Sequence, residues 1–320
     1  MNKDSKRVNG FFLCLIILHL TASILISTLS YGGIGIGIMG TLCLTQLLIL
    51  VPSFIFILIH NVDLIEWMQF RRIKISTVLL VIVFTFLIMP FISLINVISQ
   101  LFTTNAAIEL SSRFDGLAAP MIVFMIGILG PFCEEFTFRG VIFGGLRRSG
   151  YIFAAAVVSA LFFGLMHLNL NQLSYALVLG VVFGMLVEGT GSIWASVTAH
   201  VVINTWNAAL MLIADKMYSA MGIDILSGVN EQVTLDDKLQ AIGILLVMSL
   251  FFTALAAGVY IFICKNQGRF EHVVSMFCKP EKKDDEEVAK PHVLSAAGYI
   301  AIVLCLFVIF LLDMVLDFFM

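Results

Sequence analysis

The chain has 320 residues, of which 60% are hydrophobic and only 12% charged, and its net charge is −3. The mean hydropathy is +1.06, and apolar blocks of about twenty residues recur along the chain, which excludes a soluble enzyme, a disordered chain and a single-pass anchor. With no basic excess, nucleic acid is not an expected partner, and Cys14, Cys43, Cys133, Cys264, Cys278 and Cys305 show neither a CxxC pair nor a Cys/His cluster.

Lipid cannot satisfy backbone hydrogen bonds, so spans are helices or a closed barrel, and long apolar runs without period-2 alternation select helices. The expected fold is all-α, a polytopic transmembrane helix bundle of eight or nine spans around a polar membrane-embedded cavity. Candidate spans cover roughly 10–31, 34–60, 76–102, 117–146, 151–167, 172–188, 192–213, 239–264 and 294–318. The 151–167 and 172–188 runs are short for ~30 Å of hydrocarbon and are candidates for partly re-entrant or bundle-buried segments. Lys3, Lys6 and Arg7 precede the first run as in a signal peptide, but the run is too long and no small-residue cleavage site follows. A retained first span is expected.

Cytoplasmic loops carry the excess of Lys and Arg. With the N-terminus inside and nine spans, the inside segments hold 14 Lys and Arg residues, while the outside loops hold Arg113, Lys216 and Lys238 and a span holds Arg139. The N-terminus is therefore expected in the cytoplasm and the C-terminus outside. The inside loop 265–293 carries mixed charge between Pro280 and Pro291 and reads as a solvated linker. The outside loop 214–238 is acidic and has no catalytic spacing. Gly32-Gly33-Ile34-Gly35-Ile36-Gly37 lacks the strand of a dinucleotide loop and suits close helix approach instead.

An ionisable group in hydrocarbon is expensive unless paired, so each one within a span is a candidate for function. The fourth span reads Gly130-Pro131-Phe132-Cys133-Glu134-Glu135-Phe136-Thr137-Phe138-Arg139-Gly140. Glu135 and Arg139 share a helix face and suit an internal ion pair, with Glu on the amino-terminal side as helices prefer. Glu134 points about 100° away and is left free, in a setting that suits a general base. Phe163 and His167 lie one turn apart at the end of the next run. His200 and Asn204 share a face of the seventh, where two neutral donors can address one point, and Asn207 continues that stripe. His19 and His60 read as bridging or interfacial groups. Asp313 and Asp317 read as solvent-reaching residues at the end of the last span.

Glu134-Glu135-x-x-x-Arg139, Phe163-x-x-x-His167 and His200-x-x-x-Asn204 resemble, in order, the three signature motifs of the CPBP family, the intramembrane proteases that include the CAAX prenyl endopeptidases and bacteriocin-processing relatives. The resemblance covers about 115–215 and implies a CPBP-like catalytic core over 116–214. That core lies between N-terminal spans in 1–115 and a C-terminal part, 215–320, of outer loop, spans and charged inside loop. By the resemblance, Glu134 is the base that activates water, with His167 assisting. His200 and Asn204 stabilise the oxyanion, and Glu135, Arg139 and Phe163 support them. Glu188, before the Gly189-Thr190-Gly191-Ser192 turn, and Asn207 are further candidates.

The resemblance thus implies an intramembrane endopeptidase acting on a membrane-associated or lipidated peptide or protein, with membrane lipid as its surroundings. The alternative is a non-proteolytic scaffold or transporter component with the same bundle, or a proton relay through the same residues. Glu134, His167 and His200 match a catalytic zinc set by residue type, but none of the spacings is HExxH, and no cofactor is expected. Depth poses a difficulty. From the inside ends, Glu134 lies about 21 Å in, His167 about 24 Å and His200 only about 12 Å. A bend at Gly130-Pro131, unequal tilt, or a recessed start of the seventh helix would reconcile them.

Overall fold

The computed structural model of the chain describes residues 1–103, 114, 117–220, 233–277 and 293–319. Arg113, Cys278 and residues 221–232 and 278–292 of the two loops expected at 214–238 and 265–293 lie outside the described residues, as does the side chain of Asp317. Among the described residues ten helices follow in order: α1 (Lys3–Tyr31), α2 (Ile38–His60), α3 (Ile75–Ser99), α4 (Ala119–Ser149), α5 (Ile152–Leu165), α6 (Leu170–Thr190), α7 (Ile193–Ala220), α8 (Leu235–Asn266), the short α9 (Phe270–Ser275) and α10 (Ala296–Phe319). No strand occurs among the described residues. Eight of these helices are long and apolar enough to cross a membrane, and the protein is a polytopic helical membrane bundle.

Polar residues at the helix ends punctuate the apolar runs. The Asn2 side chain accepts from the Asp4 amide at the start of α1, Asn169 accepts from Gln172 at the start of α6, and Thr234 and Asp237 form a reciprocal capping box on α8. Gly191 ends α6 at φ +70°, and its N–H reaches the Val187 carbonyl. The ninth expected span, 151–167, is the 14-residue α5, about 21 Å long and too short for the full hydrocarbon thickness.

One end of the bundle gathers polar groups from four segments far apart in sequence. Asp4 binds Arg148, Arg147 binds Glu188, and Glu188 binds Arg269 and His272. These are the segments that the charge asymmetry places together. At the opposite end Asn171 donates to Asn96 and Ser99, and Lys238 donates to the Gln100 carbonyl. The side chain of Asn9, near the start of α1, donates to the Val293 carbonyl and accepts from the Ser295 amide. Thus α10 starts beside the start of α1 and runs away from the charged end, so the two termini emerge at opposite ends of the bundle.

Helix α4 is the central element, and its side chains from Phe136 to Leu146 are all buried. Its turns alternate between ordinary α geometry and two wide π-helical stretches, Val123–Leu129 and Phe136–Phe143, on either side of Gly130–Glu135. Wide turns of this kind interrupt the i to i+4 ladder and recur at functional sites. Helices α1, α2 and α5 pack on one side of α4, through Phe12, Phe56, Val141, Phe143 and Phe162. A second core, including Val81, Phe84, Phe183, Leu186, Ala199 and Ala256, joins α3, α6, α7 and α8.

Candidate functional site

The buried charges lie where α4, α5, α6 and α7 meet. Arg139 Nη1 is 3.0 Å from Glu135 Oε1, and both side chains are essentially inaccessible. The guanidinium sits 4.4 Å above the ring of Phe163 and 5.1 Å from that of Phe183, so two aromatic faces flank the cation as the carboxylate neutralises it. Glu135 also accepts a 2.9 Å hydrogen bond from His200 Nδ1. The other nitrogen of His200, Nε2, is 3.6 Å from Glu134 Oε2. This distance exceeds a hydrogen bond, so neither atom is committed to the other.

Adjacent carboxylates point to different sides of a helix, but the imidazole of His200 is wide enough to meet one on each ring nitrogen. The two carboxylates differ in access. Glu135 is sealed, whereas the Glu134 side chain keeps 22% of its surface. His200 is held face-on against Phe183, with ring centroids 4.9 Å apart.

His167 is half-buried at the end of α5, and its Nδ1 donates to the Phe163 carbonyl at 3.0 Å. A carbonyl only accepts, so in the neutral ring Nε2 carries the free lone pair. Phe163 presents its ring edgewise to both histidines, at centroid distances of 5.1 Å to His167 and 5.8 Å to His200. Asn204 lies one turn beyond His200 and donates to the Ile126 carbonyl at 3.4 Å, while Thr205 donates to the Gly127 carbonyl at 3.2 Å. Both acceptors belong to the first wide-turned stretch of α4. Gly127 permits this approach, since a Cβ there would lie 2.6 Å from Thr205 Oγ1.

The difference in depth has a definite resolution. Helix α7 starts inside the bundle, with Ser192 and Ile193 buried. The Ile193 amide donates to the Gln69 carbonyl, and the Ser192 hydroxyl is hydrogen-bonded to the Arg71 carbonyl, both in the connection between α2 and α3. That connection roofs the start of α7, so His200, only eight residues into the helix, reaches the level of Glu134. Bending at Pro131 is not required. The wide turns also place more residues in a given length of α4 than the straight-helix estimate assumes.

Two of the further candidates lie elsewhere. Glu188 sits at the charged end of the bundle, fully buried among Gln69, Arg147, Arg269 and His272. It ties the α2–α3 connection, α4, α6 and α9 together and does not join the Glu134 group. The polar stripe of α7 stops at Asn204, because Asn207 is exposed. Among the described residues no three His, Cys, Asp or Glu side chains converge to hold a metal ion, so Glu134, His167 and His200 are not assembled as a zinc set.

The motifs left out several residues. Phe183 and Gly180 on α6 belong to the group around Arg139. A Cβ at Gly180 would lie 2.6 Å from Ala160 Cβ and 3.2 Å from Arg139 Nη2, and one at Gly184 would lie 3.2 Å from Ala156 Cβ. The legible signal was the pair Gly180-x-x-x-Gly184 facing Ala156-x-x-x-Ala160, small residues one turn apart on both antiparallel helices. His19, on α1, lies within electrostatic reach of His167. Its Nδ1 is buried and without a hydrogen-bond partner among the described residues. Nothing in its apolar run marks that neighbour.

The three-helix motif geometry coincides with a family match. Residues 116–206 match the family model described as type II CAAX prenyl endopeptidase Rce1-like. This segment is similar to that family and contains the three motifs that resemble the CPBP signature. Two curated bacterial proteins are similar over much the same length. YdiL of Bacillus subtilis (strain 168), provisionally named a membrane peptidase, is 34% identical over 95 residues, which is 30% of this chain and 39% of that protein. The membrane-embedded CAAX protease MroQ of Staphylococcus aureus (strain USA300) is 31% identical over 91 residues, 27% of this chain and 37% of that protein. The alignments thus span less than two fifths of either relative. No solved structure matches the chain. Every residue of the three motifs falls inside the CPBP segment, and His19 falls outside it.

Proposed function

We propose that the protein is an intramembrane endopeptidase that hydrolyses a peptide bond of a membrane-associated or lipidated substrate with water activated by Glu134. The observation that carries this reading is the pair of unequal carboxylates on His200. One is sealed and neutralised by Arg139, and the other is accessible and uncommitted. A general base needs that second condition, and a rigid partner needs the first.

In this scheme Glu134 removes a proton from water as the water oxygen attacks the scissile carbonyl carbon. His167 Nε2, whose lone pair is free, accepts the second hydrogen of that water and orients it. Charge develops on the carbonyl oxygen, where His200 Nε2 and the Asn204 amide act as donors. Because Nδ1–H of His200 is given to Glu135, donation at Nε2 calls for a proton on that nitrogen as well. On collapse of the tetrahedral intermediate the C–N bond breaks, and the proton held by Glu134 passes to the leaving amine. Each atom of water is thereby assigned, one hydrogen to the amine and the hydroxyl to the new carboxylate.

The match to a CAAX endopeptidase model and the similarity to a CAAX protease support peptide hydrolysis as the activity class. The test is cleavage by the purified, reconstituted protein of a panel of membrane-proximal peptides, with and without lipid attachment. Glu134→Gln is expected to lower the rate by about 10²- to 10⁴-fold. Cleavage by that variant at the wild-type rate would overturn the proposal.

A further inference from the structure

Away from the CPBP segment, α1 and α2 diverge to leave a cavity of about 330 Å³. Its walls are apolar, including Phe11, Leu18, Pro52 and Ile55, and its only ionisable lining residues besides the Cys14 thiol are Arg7 and His60, at the charged end of the bundle. Leu18 and Ile55 are 39% and 49% exposed, so the cavity is a groove opening sideways toward lipid. From Arg7 to Leu18 the groove runs about 16 Å along α1, and from His60 to Pro52 about 12 Å along α2. One leaflet of a bilayer has about 15 Å of hydrocarbon, half of ~30 Å.

The mouth is positively charged. No carboxylate lines the cavity among the described residues, and nearby Asp4 is shared between Arg7, at 3.3 Å, and Arg148, at 2.8 Å. His60 lies within electrostatic reach of Arg7, Lys3 and Asp4, and Lys6 is exposed on the same turn of α1. The surplus is cationic at the level where a lipid phosphate resides, above a groove as deep as one acyl chain.

We propose that this groove seats one acyl chain of an anionic phospholipid, whose headgroup phosphate is held at Arg7 and His60. Electrostatic attraction of a basic side chain to an anionic lipid surface corresponds to about fivefold in affinity per residue. The apolar walls supply affinity without choosing the headgroup, and the mouth supplies the choice. The site requires nothing of the reaction at Glu134.

Two free cysteines provide the readout. Cys14 lines the groove, and Cys43, on α2 but outside it, is also exposed. The full chain is delipidated in detergent and supplied with phosphatidylglycerol or phosphatidylcholine. Retained lipid is then measured by native mass spectrometry, and N-ethylmaleimide labelling of each cysteine by peptide mapping. One retained phosphatidylglycerol is expected, with Cys14 labelling slowed relative to Cys43. Arg7→Gln should weaken phosphatidylglycerol retention about fivefold and leave phosphatidylcholine retention unchanged. Leu18→Trp, filling the groove from a lipid-facing position, should abolish phosphatidylglycerol retention. Equal retention of the two lipids, or phosphatidylglycerol retained by Leu18→Trp as by wild type, overturns the proposal.

Discussion

Replacing Arg139 by Met leaves the carboxylate of Glu135 in the interior with the hydrogen bond from His200 Nδ1 as its remaining polar contact at Oε1. Glu135 is fully buried, and its Oε2 has no hydrogen-bond partner among the described residues. Removing one member of such a pair typically costs about 3–5 kcal/mol, because an uncompensated charge remains. Loss of the cation between Phe163 and Phe183 adds about 1 kcal/mol. The double replacement Glu135→Leu with Arg139→Met removes both charges and should recover much of the loss, so the two changes are expected to couple by about 2–3 kcal/mol. Stability is measurable by reaction of a thiol-specific dye with Cys133, which is 1% exposed beside Glu134 and becomes reactive only when the bundle opens. If Arg139→Met matches wild type, or the two effects simply add, the pair does not hold the site as argued.

Gly180→Ala should destabilise the bundle by about 1–3 kcal/mol, since the new methyl overlaps Ala160, and Gly184→Ala should cost less; the same dye assay ranks them. Glu188→Gln unpairs Arg147, Arg269 and His272 and should lower stability by about 3–5 kcal/mol. Any peptide cleavage per folded molecule should persist in that variant, whereas Glu134→Gln should retain stability and lose cleavage. Outside the spans, Asp63 accepts hydrogen bonds from the Ile65 and Glu66 amides at 2.7 Å each, which hold its carboxyl below the ordinary value of 3.8. A depressed folded-state value means the contribution is complete above that ordinary value and fades as pH falls through the folded one. The stability gap between wild type and Asp63→Ala should therefore close on acidification, and a gap that is constant with pH would contradict this account.

Much of the architecture followed from local chemistry. Twenty-residue apolar runs compel helices in lipid, and the positions of Arg71, Arg147, Arg148 and Arg269 anticipate which helix ends cluster. The pairing of Glu135 with Arg139 is likewise local, because four residues make one helical turn. Nothing within the fourth span discloses the imidazole of His200 that lies between Glu134 and Glu135. Glu188 was grouped with the motifs by its place in the sequence, whereas its ion pairs are with α4 and α9.

The sequence by itself determined the helices, their alternating passage through the bundle and the residue types available for chemistry. Backbone hydrogen bonding in lipid, helical periodicity and the energetic cost of a buried charge all act along the chain. The tertiary structure decided the depth of His200, the sandwiching of Arg139 by Phe163 and Phe183, and the contrast between a sealed Glu135 and an accessible Glu134. Those features depend on how closely non-adjacent helices approach and on how far α7 is recessed, which packing between distant segments sets.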